Sequence, residues 1–179
     1  YIQLENYQFL LGDRRFWQAM LNTAYYTVLS VPFGMVVSLG IALIMNQKLK
    51  GSNIFRTLFF MPVISSWVAV SVIWLTLLDP NVGVINYVLG LVGLPAINWL
   101  GDPKTAMPAL VLIAVWKSAG FSMVIWLAGL QSIPVELYEV ASMDGANRLQ
   151  SFLRITIPLL APTTFFLAIT GVIGSFQVF

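Results

Sequence analysis

The chain has 179 residues, 59% of them hydrophobic and only 9% charged, with a net charge of +2. A soluble domain carries about 25% charged residues, so a water-soluble globule is excluded and a membrane protein is expected. The small net charge, with no block of Lys and Arg, argues against nucleic acid, and the absence of Cys and His removes disulfides and the common zinc and haem sites.

The first residues, "YIQLENYQFLLGDRRFW", lack the basic segment and apolar run of a signal peptide. The chain does not start with Met, and its last residues stop inside an apolar run. A fragment cut at both ends is therefore expected. Four apolar runs follow in order, at 23–45, 58–78, 108–130 and 159–179. Each of the first three is long enough to cross a hydrocarbon core of ~30 Å as a helix. Pro32 and Pro62 are expected to kink their helices or to sit at broken turns. The tryptophans inside the runs, Trp67, Trp74, Trp116 and Trp126, read mainly as packing and interface residues.

The stretch 82–100, "VGVINYVLGLVGLPAINWL", is apolar but broken by Gly83, Gly90, Gly93 and Pro95. A short interfacial helix is expected there rather than a span. Lys48, Lys50 and Arg56 follow the first run, and Arg148 and Arg154 follow the third. Against these five stand Lys104, Arg14 and Arg15. The positive-inside rule then places loops 46–56 and 132–157 in the cytoplasm.

Lys117 sits near the middle of the 108–130 run, about 13 Å from its outer end at the helical rise. Its stem cannot comfortably snorkel that far. All seven acids lie outside the apolar runs, so a water-filled cavity, a cluster of backbone carbonyls or a partner chain is expected around it. A shifted or broken helix that leaves Lys117 near an interface is the blander reading. Ser118 and Gly120 beside it suit an unwound or closely packed turn. Gly171, Gly174, Ser175 and Gln177 form a second candidate lining.

The segment 134–158 interrupts the oil with Glu136, Glu139, Asp144, Arg148 and Arg154. Ser132 and Pro134 read as a helix start, and Glu136 and Glu139 favour its N-terminal half. Val135, Tyr138 and Ala141 or Ser142 share a face. Gly145 can supply a left-handed stop, and Asn147 with Gln150 forms a capping box for a second helix. Leu149, Phe152, Leu153 and Ile157 are expected on that helix's apolar side. Such a hinged pair on a membrane face has the shape to dock into another protein's groove, or to rest on lipid headgroups. The acids disfavour anionic lipid.

"ELYEVASMDGANRLQSFLRITIP" resembles the EAA loop of ATP-binding-cassette (ABC) importer permeases, E-A-A-x-x-x-G followed by I-x-L-P. Here the pattern reads Glu139, Val140, Ala141, then Gly145, then Ile155 to Pro158, with Val140 and Ile157 as apolar departures. "DGA" at Asp144, Gly145 and Ala146, with "NTAYYT", "FRTLFFMP" and "WLAGLQSIP", resembles the carbohydrate-uptake branch, of maltose or glycerol-phosphate first-permease type. The resemblance covers essentially the whole chain. It implies an all-α polytopic permease fold. About four spans and a cytoplasmic coupling loop would be present here, out of six or more in the full subunit.

It also implies a partner ATPase whose groove receives 134–158. Glu139 would approach a basic residue there, Ala141 beside Val140 would allow close packing, Gly145 would be the hinge with Asp144 and Ala146 at the neighbouring motif positions, and Pro158 would end the motif. ATP and Mg would be bound by that partner, and no cofactor by this chain. A second permease subunit, an extracellular or periplasmic solute-binding protein, membrane lipid and a prokaryotic inner membrane follow from the same resemblance, with transport of a sugar or related polyol by alternating access. Trp116, Lys117, Ser118, Gly120, Phe121, Gly174 and Gln177 are the candidate solute pathway, since sugar pockets combine aromatic faces with a few polar groups. The alternatives are a permease for another small solute, or an intramembrane pore or enzyme built on Lys117. The sequence has no Walker A pattern and no nucleophile–base pair for covalent chemistry.

Overall fold

In a computed structural model, residues 4–47 and 51–178 are described. Lys48 and Lys50, two of the five basic residues that set the expected orientation, lie outside them. A short helix α1 (Glu5–Gly12) leads into α2 (Arg14–Asn46). Asp13 separates the two, and its carboxylate accepts the Arg15 backbone N–H at 2.8 Å. The run at 23–45 is thus the apolar part of a longer helix. Pro32 lies inside α2 without interrupting it.

The second run does not form one helix. It is divided into α3 (Ser52–Ile64) and α4 (Trp67–Leu77), bent by 99° at Ser65 and Ser66. Both serines have extended backbone, and Ser66 caps α4 by accepting the Ala69 N–H. Pro62, which cannot donate to the preceding turn, stands just before the break. The broken-turn expectation at Pro62 holds. The expectation of one helix over 58–78 does not.

Next comes α5 (Val84–Leu91), far too short to span. The loop around it is pinned by Asn86, only 7% exposed. Its amide donates to Ile97 O at 2.9 Å, and its carbonyl accepts from Trp99 Nε1 at 3.0 Å and from Ile97 N–H at 3.2 Å. A single buried polar side chain therefore supplies partners for backbone that no helix satisfies.

The third run is α6 (Pro103–Gln131), a continuous helix capped by Asp102. It is followed by α7 (Val135–Met143), α8 (Arg148–Leu159) and α9 (Ala161–Ser175). A π-helical turn, Phe152–Thr156, lies within α8. The α8 and α9 axes are bent by 62° about Leu160, which is fully buried. Two helices, α2 and α6, are each long and apolar enough to cross a membrane, and each bent pair passes the same test taken together.

The helices α2 and α6 run parallel. Tyr26 packs with Val111 and Val115 at one end. In the middle, the Trp126 indole N–H donates to Ser38 Oγ at 3.1 Å. At the other end, Ala42 and Met45 share a core with Met123, Leu127 and Leu130. The C-terminal ends of both helices therefore emerge on one side. This is the geometry required if 82–100 does not cross the membrane, because α3 and α4 alone then return the chain. A third core joins Val70 and Leu78 of the α4 region to Ala109 and Ile113 of α6, covered by Trp74, Ile85 and Trp99.

Candidate functional site

Two sites can be built from these elements: a hinged helix pair at one end and a cavity between the spans. The pair comes first in its logic, because its sequence dictates its geometry. α7 ends in a left-handed glycine, Gly145, at φ 79°. The Gly145 N–H donates to Ser142 O at 3.1 Å and the Ala146 N–H to Ala141 O at 2.9 Å. This is a Schellman stop, which a residue with a Cβ resists. Asn147 then opens α8 with a reciprocal capping box: its side chain accepts the Gln150 N–H at 2.9 Å, and Gln150 Oε1 accepts the Asn147 N–H at 2.8 Å.

The pair is fastened to the spans rather than hung from them. Ile133 is buried in the core that holds Leu130, Leu160 and Leu167, and Tyr138 and Ile155 pack against it. The Tyr138 hydroxyl and Thr156 Oγ1 hydrogen-bond at 2.8 Å across the two helices. The opposite side is bare. Glu139, Val140, Asp144, Gly145 and Pro158 are exposed, while Ala141 and Ala146 are half-buried. Glu139 makes no ion pair among the described residues. Val140 and Met143 are exposed apolar groups beside it, Met143 to 87%. The outer face of the pair thus presents an acid flanked by uncovered apolar side chains.

Three local expectations need correction. Ser132 does not cap α7; its Oγ donates to Gly129 O at 2.8 Å and its N–H to Ala128 O, so it closes α6 instead. Val135 points outward, at 65% exposed, and leaves Tyr138 and Ala141 as the inner face of α7. On α8 the inner face is Phe152, Ile155 and Thr156, whereas Leu149, Leu153 and Ile157 are exposed. Phe152, Ile155, Thr156 and Leu160 recur at steps of three and four, so the helical period is kept, and the buried face is turned away from Leu149 and Leu153.

The cavity lies between α2, α4, α6 and α9 and has a volume of about 310 Å³. Among the expected pathway residues, Ser118, Phe121 and Gly174 line it. So do Gly171 and Ser175, the small residues beside Gly174. Tyr26, Ser30, Trp67, Ser122 and Thr170 also line it and were not anticipated from the sequence. The signal for several of them was present: Ser30 with Gly34, Thr170 with Gly174, and Gly171 with Ser175 are small or polar residues four apart, each pair on one helical face. No charged side chain lines the cavity among the described residues. Ser118, Thr170 and Ser175 donate to carbonyls of the preceding helical turn, at 2.8, 2.8 and 2.7 Å. Their oxygen lone pairs remain as acceptors for a ligand's hydroxyls.

The other expected pathway residues are turned elsewhere. Trp116 packs edge-on against Trp74, with ring centroids 5.5 Å apart. Gly120 meets the backbone of α3 at Phe59 and Phe60, where no side chain would fit. Gln177 is exposed beyond the end of α9 and does not line the cavity. Lys117 is 5% exposed, and its ammonium does not enter the cavity. Nζ donates to the carbonyls of Ser65 at 2.7 Å, Pro62 at 3.0 Å and Val63 at 3.4 Å, and lies 4.8 Å from the centre of the Trp67 ring. Of the surroundings open to Lys117, the carbonyl cluster is the one observed.

Parallel span-length helices, a bent pair beside them and a hinged helix pair at the shared end make up a polytopic all-α membrane-protein fold. The sequence profile of the binding-protein-dependent transport system inner membrane component matches residues 13–179, and the chain belongs to that family. It is 41% identical to the probable ABC transporter permease protein YesP of Bacillus subtilis, over all of this chain and 58% of the relative. It is 35% identical to the trehalose/maltose transport system permease protein MalF of Thermococcus litoralis, over all of this chain and 61% of that one. Its fold superposes on a chain of a bacterial ABC transporter that imports the acidic polysaccharide alginate. The TM-score is 0.89 at 31% identity, covering 99% of this chain and 63% of the other. A second structure of an alginate transporter, in complex with an alginate-pentasaccharide-bound periplasmic protein, matches at TM-score 0.83 and 34% identity, covering 92% and 58%. The chain thus spans about three fifths of the length of the relatives it matches.

Proposed function

We propose that this chain belongs to a membrane-spanning subunit of an ATP-driven importer. It would carry a sugar or related polyol into the cytoplasm by alternating access. The observation that carries this reading is the α7–α8 pair: bare on its outer face, with Glu139 and the Gly145 hinge displayed, and packed into the span ends on its inner face. A partner ATPase receives the outer face in a groove, and ATP with Mg is bound and hydrolysed there. The ends of α2 and α6, with loops 46–56 and 132–157, face the cytoplasm. A second permease subunit completes the cavity, and a solute-binding protein delivers to it from the other side.

The cavity supports the solute class. Its aromatic rings can cover sugar faces, and its hydroxyls offer acceptors to sugar hydroxyls. A wall without formal charge favours a neutral polyol over an ionised one, since an ion buried there would lack a counter-charge.

The test uses the full-length subunit in its complex. Glu139→Lys should weaken retention of the ATPase and abolish ATP-dependent uptake. Gly145→Val, which forces a β-branched residue into the left-handed region, should do the same. Unchanged ATPase retention and uptake in both variants would overturn the reading. Uptake measured across neutral and anionic sugars decides the solute class.

A further inference from the structure

We infer that Lys117 is a positioning residue: it closes the break between α3 and α4 and thereby fixes the Trp67 ring as a wall of the cavity. The inference rests on the cavity being the solute site. It begins with the backbone. When a helix stops, its last carbonyls lose their partners, and inside a membrane no water replaces them. Here α3 stops at Ile64, and Ser65 and Ser66 are extended. The carbonyls of Pro62, Val63 and Ser65 sit at that end. The Lys117 ammonium has three N–H groups and finds three acceptors among them. Its positive charge also meets the negative end of the α3 dipole. Ser65 reaches the Pro62 and Met61 carbonyls from within the chain segment, and a lysine from a neighbouring helix adds the partners for Val63 and Ser65.

The same ammonium lies over the Trp67 ring at 4.8 Å. Trp67 is the first residue of α4, directly after the break, so its direction follows the bend. Its ring also lines the cavity. One cation therefore joins three things: the carbonyl end of α3, the first side chain of α4, and α6. Ser118, the residue after Lys117, faces the cavity. The wall made by Trp67 is consequently held in register with the wall made by Ser118 and Phe121. A tryptophan held in this way is rigid before the solute arrives, which lowers the cost of stacking on it.

The experiment uses the full-length complex in lipid nanodiscs and in proteoliposomes, with tryptophan replaced by 5-fluorotryptophan. The Trp67 signal is identified by its disappearance in Trp67→Phe. Two quantities are read: the solute-free Trp67 fluorine resonance, and the KM and maximal rate of uptake for the solute found by the sugar panel. In Lys117→Met the resonance should move and broaden, and KM should rise about tenfold with a smaller change in maximal rate. Lys117→Arg should restore both in part, because a guanidinium keeps the charge and donates to carbonyls. If Lys117→Met does not assemble, Lys117→Gln gives the decisive reading: it retains N–H donors without the charge and should show the same shift and the same rise in KM. An unchanged resonance and KM in the variant read overturns the inference.

Failure of the cavity reading looks different. Trp67→Leu and Ser118→Val would then transport every solute with unchanged KM, although the Trp67 resonance still responds to Lys117→Met. That result removes the solute role and overturns the inference as stated.

Discussion

At Gly120, α6 lies directly against the backbone of α3, and Gly120→Ala tests how much of the fold depends on that approach. A methyl at this position would overlap the Phe59 carbonyl oxygen and stand 2.8 Å from its carbonyl carbon and 3.0 Å from the Phe60 Cα. The obstacle is main chain, so no side-chain rotation relieves it. α3 would have to withdraw by about 1 Å, and overpacking of this kind costs about 1–3 kcal/mol. The upper part of that range applies, because the same shift stretches the Lys117 bonds to Pro62 and Val63, the latter already 3.4 Å long. A loss of about 2–3 kcal/mol should lower the melting midpoint of a chain this size by about 5 °C or more. The assay is thermal unfolding of the purified complex followed by size-exclusion recovery. Gly174→Ala is the control, since nothing lies within 4 Å of a methyl there. A Gly120→Ala midpoint equal to that of Gly174→Ala would refute the close approach of α3 and α6.

Ser38→Ala removes the acceptor of the buried Trp126 indole N–H, and should cost about 1–2 kcal/mol, read as a fall in the same melting midpoint. Asn86→Ala strips Trp99 Nε1 and the Ile97 N–H of their acceptor and should cost the segment between α4 and α6 about 2 kcal/mol or more; limited proteolysis between α5 and α6 should become faster while the long helices stay resistant. The Asp79 carboxylate is held below its ordinary pKa by the backbone N–H of Val82 and then of Asn81. Its contribution is therefore present above the ordinary carboxylate range and is lost as pH falls through the lowered value. Exchange protection of the Asn81 and Val82 amides should persist through mildly acidic pH and vanish only in stronger acid, and Asp79→Ala should abolish it at neutral pH.

The spans and the helix pair were legible in the sequence for different reasons. The 23–45 and 108–130 runs announce themselves by length and oiliness, because the membrane demands a continuous apolar helix. The pair was legible because its stop and start are local chemistry: Gly145 for the left-handed turn, Asn147 and Gln150 for the cap. What lay hidden depends on neighbours. Ser65 and Ser66 are as acceptable inside a straight span as at a break, and only Pro62 hinted at the difference. Leucines and aromatics lie on more than one side of α8, so of the expected Leu149, Phe152, Leu153 and Ile157 only Phe152 faces inward, joined by Ile155 and Thr156. Lys117 was visible as an anomaly, but its partners are backbone carbonyls more than fifty residues away, and any residue type can supply a carbonyl.

The arrangement also constrains how a pull on the helix pair could reach the solute. Ile133 follows α6 by two residues and is buried with Leu130 and Leu160, and Leu160 is the corner between α8 and α9. Displacing α7 and α8 must therefore move the ends of α6 and α9 together. Those two helices supply Ser118, Ser122, Thr170, Gly171, Gly174 and Ser175, most of the cavity's polar and small-residue wall. Ser118 lies about 20 Å along α6 from its C-terminal end, and α6 has no break along that length. The α3–α4 span is different: it is bent by 99°, and its corner is tied to α6 by Lys117 at the level of the cavity. A tilt of α6 would carry that corner with it. The α7–α8 pair and Trp67 are then two ends of one mechanical element, and the lysine is what ties the bent helix pair to the straight helix.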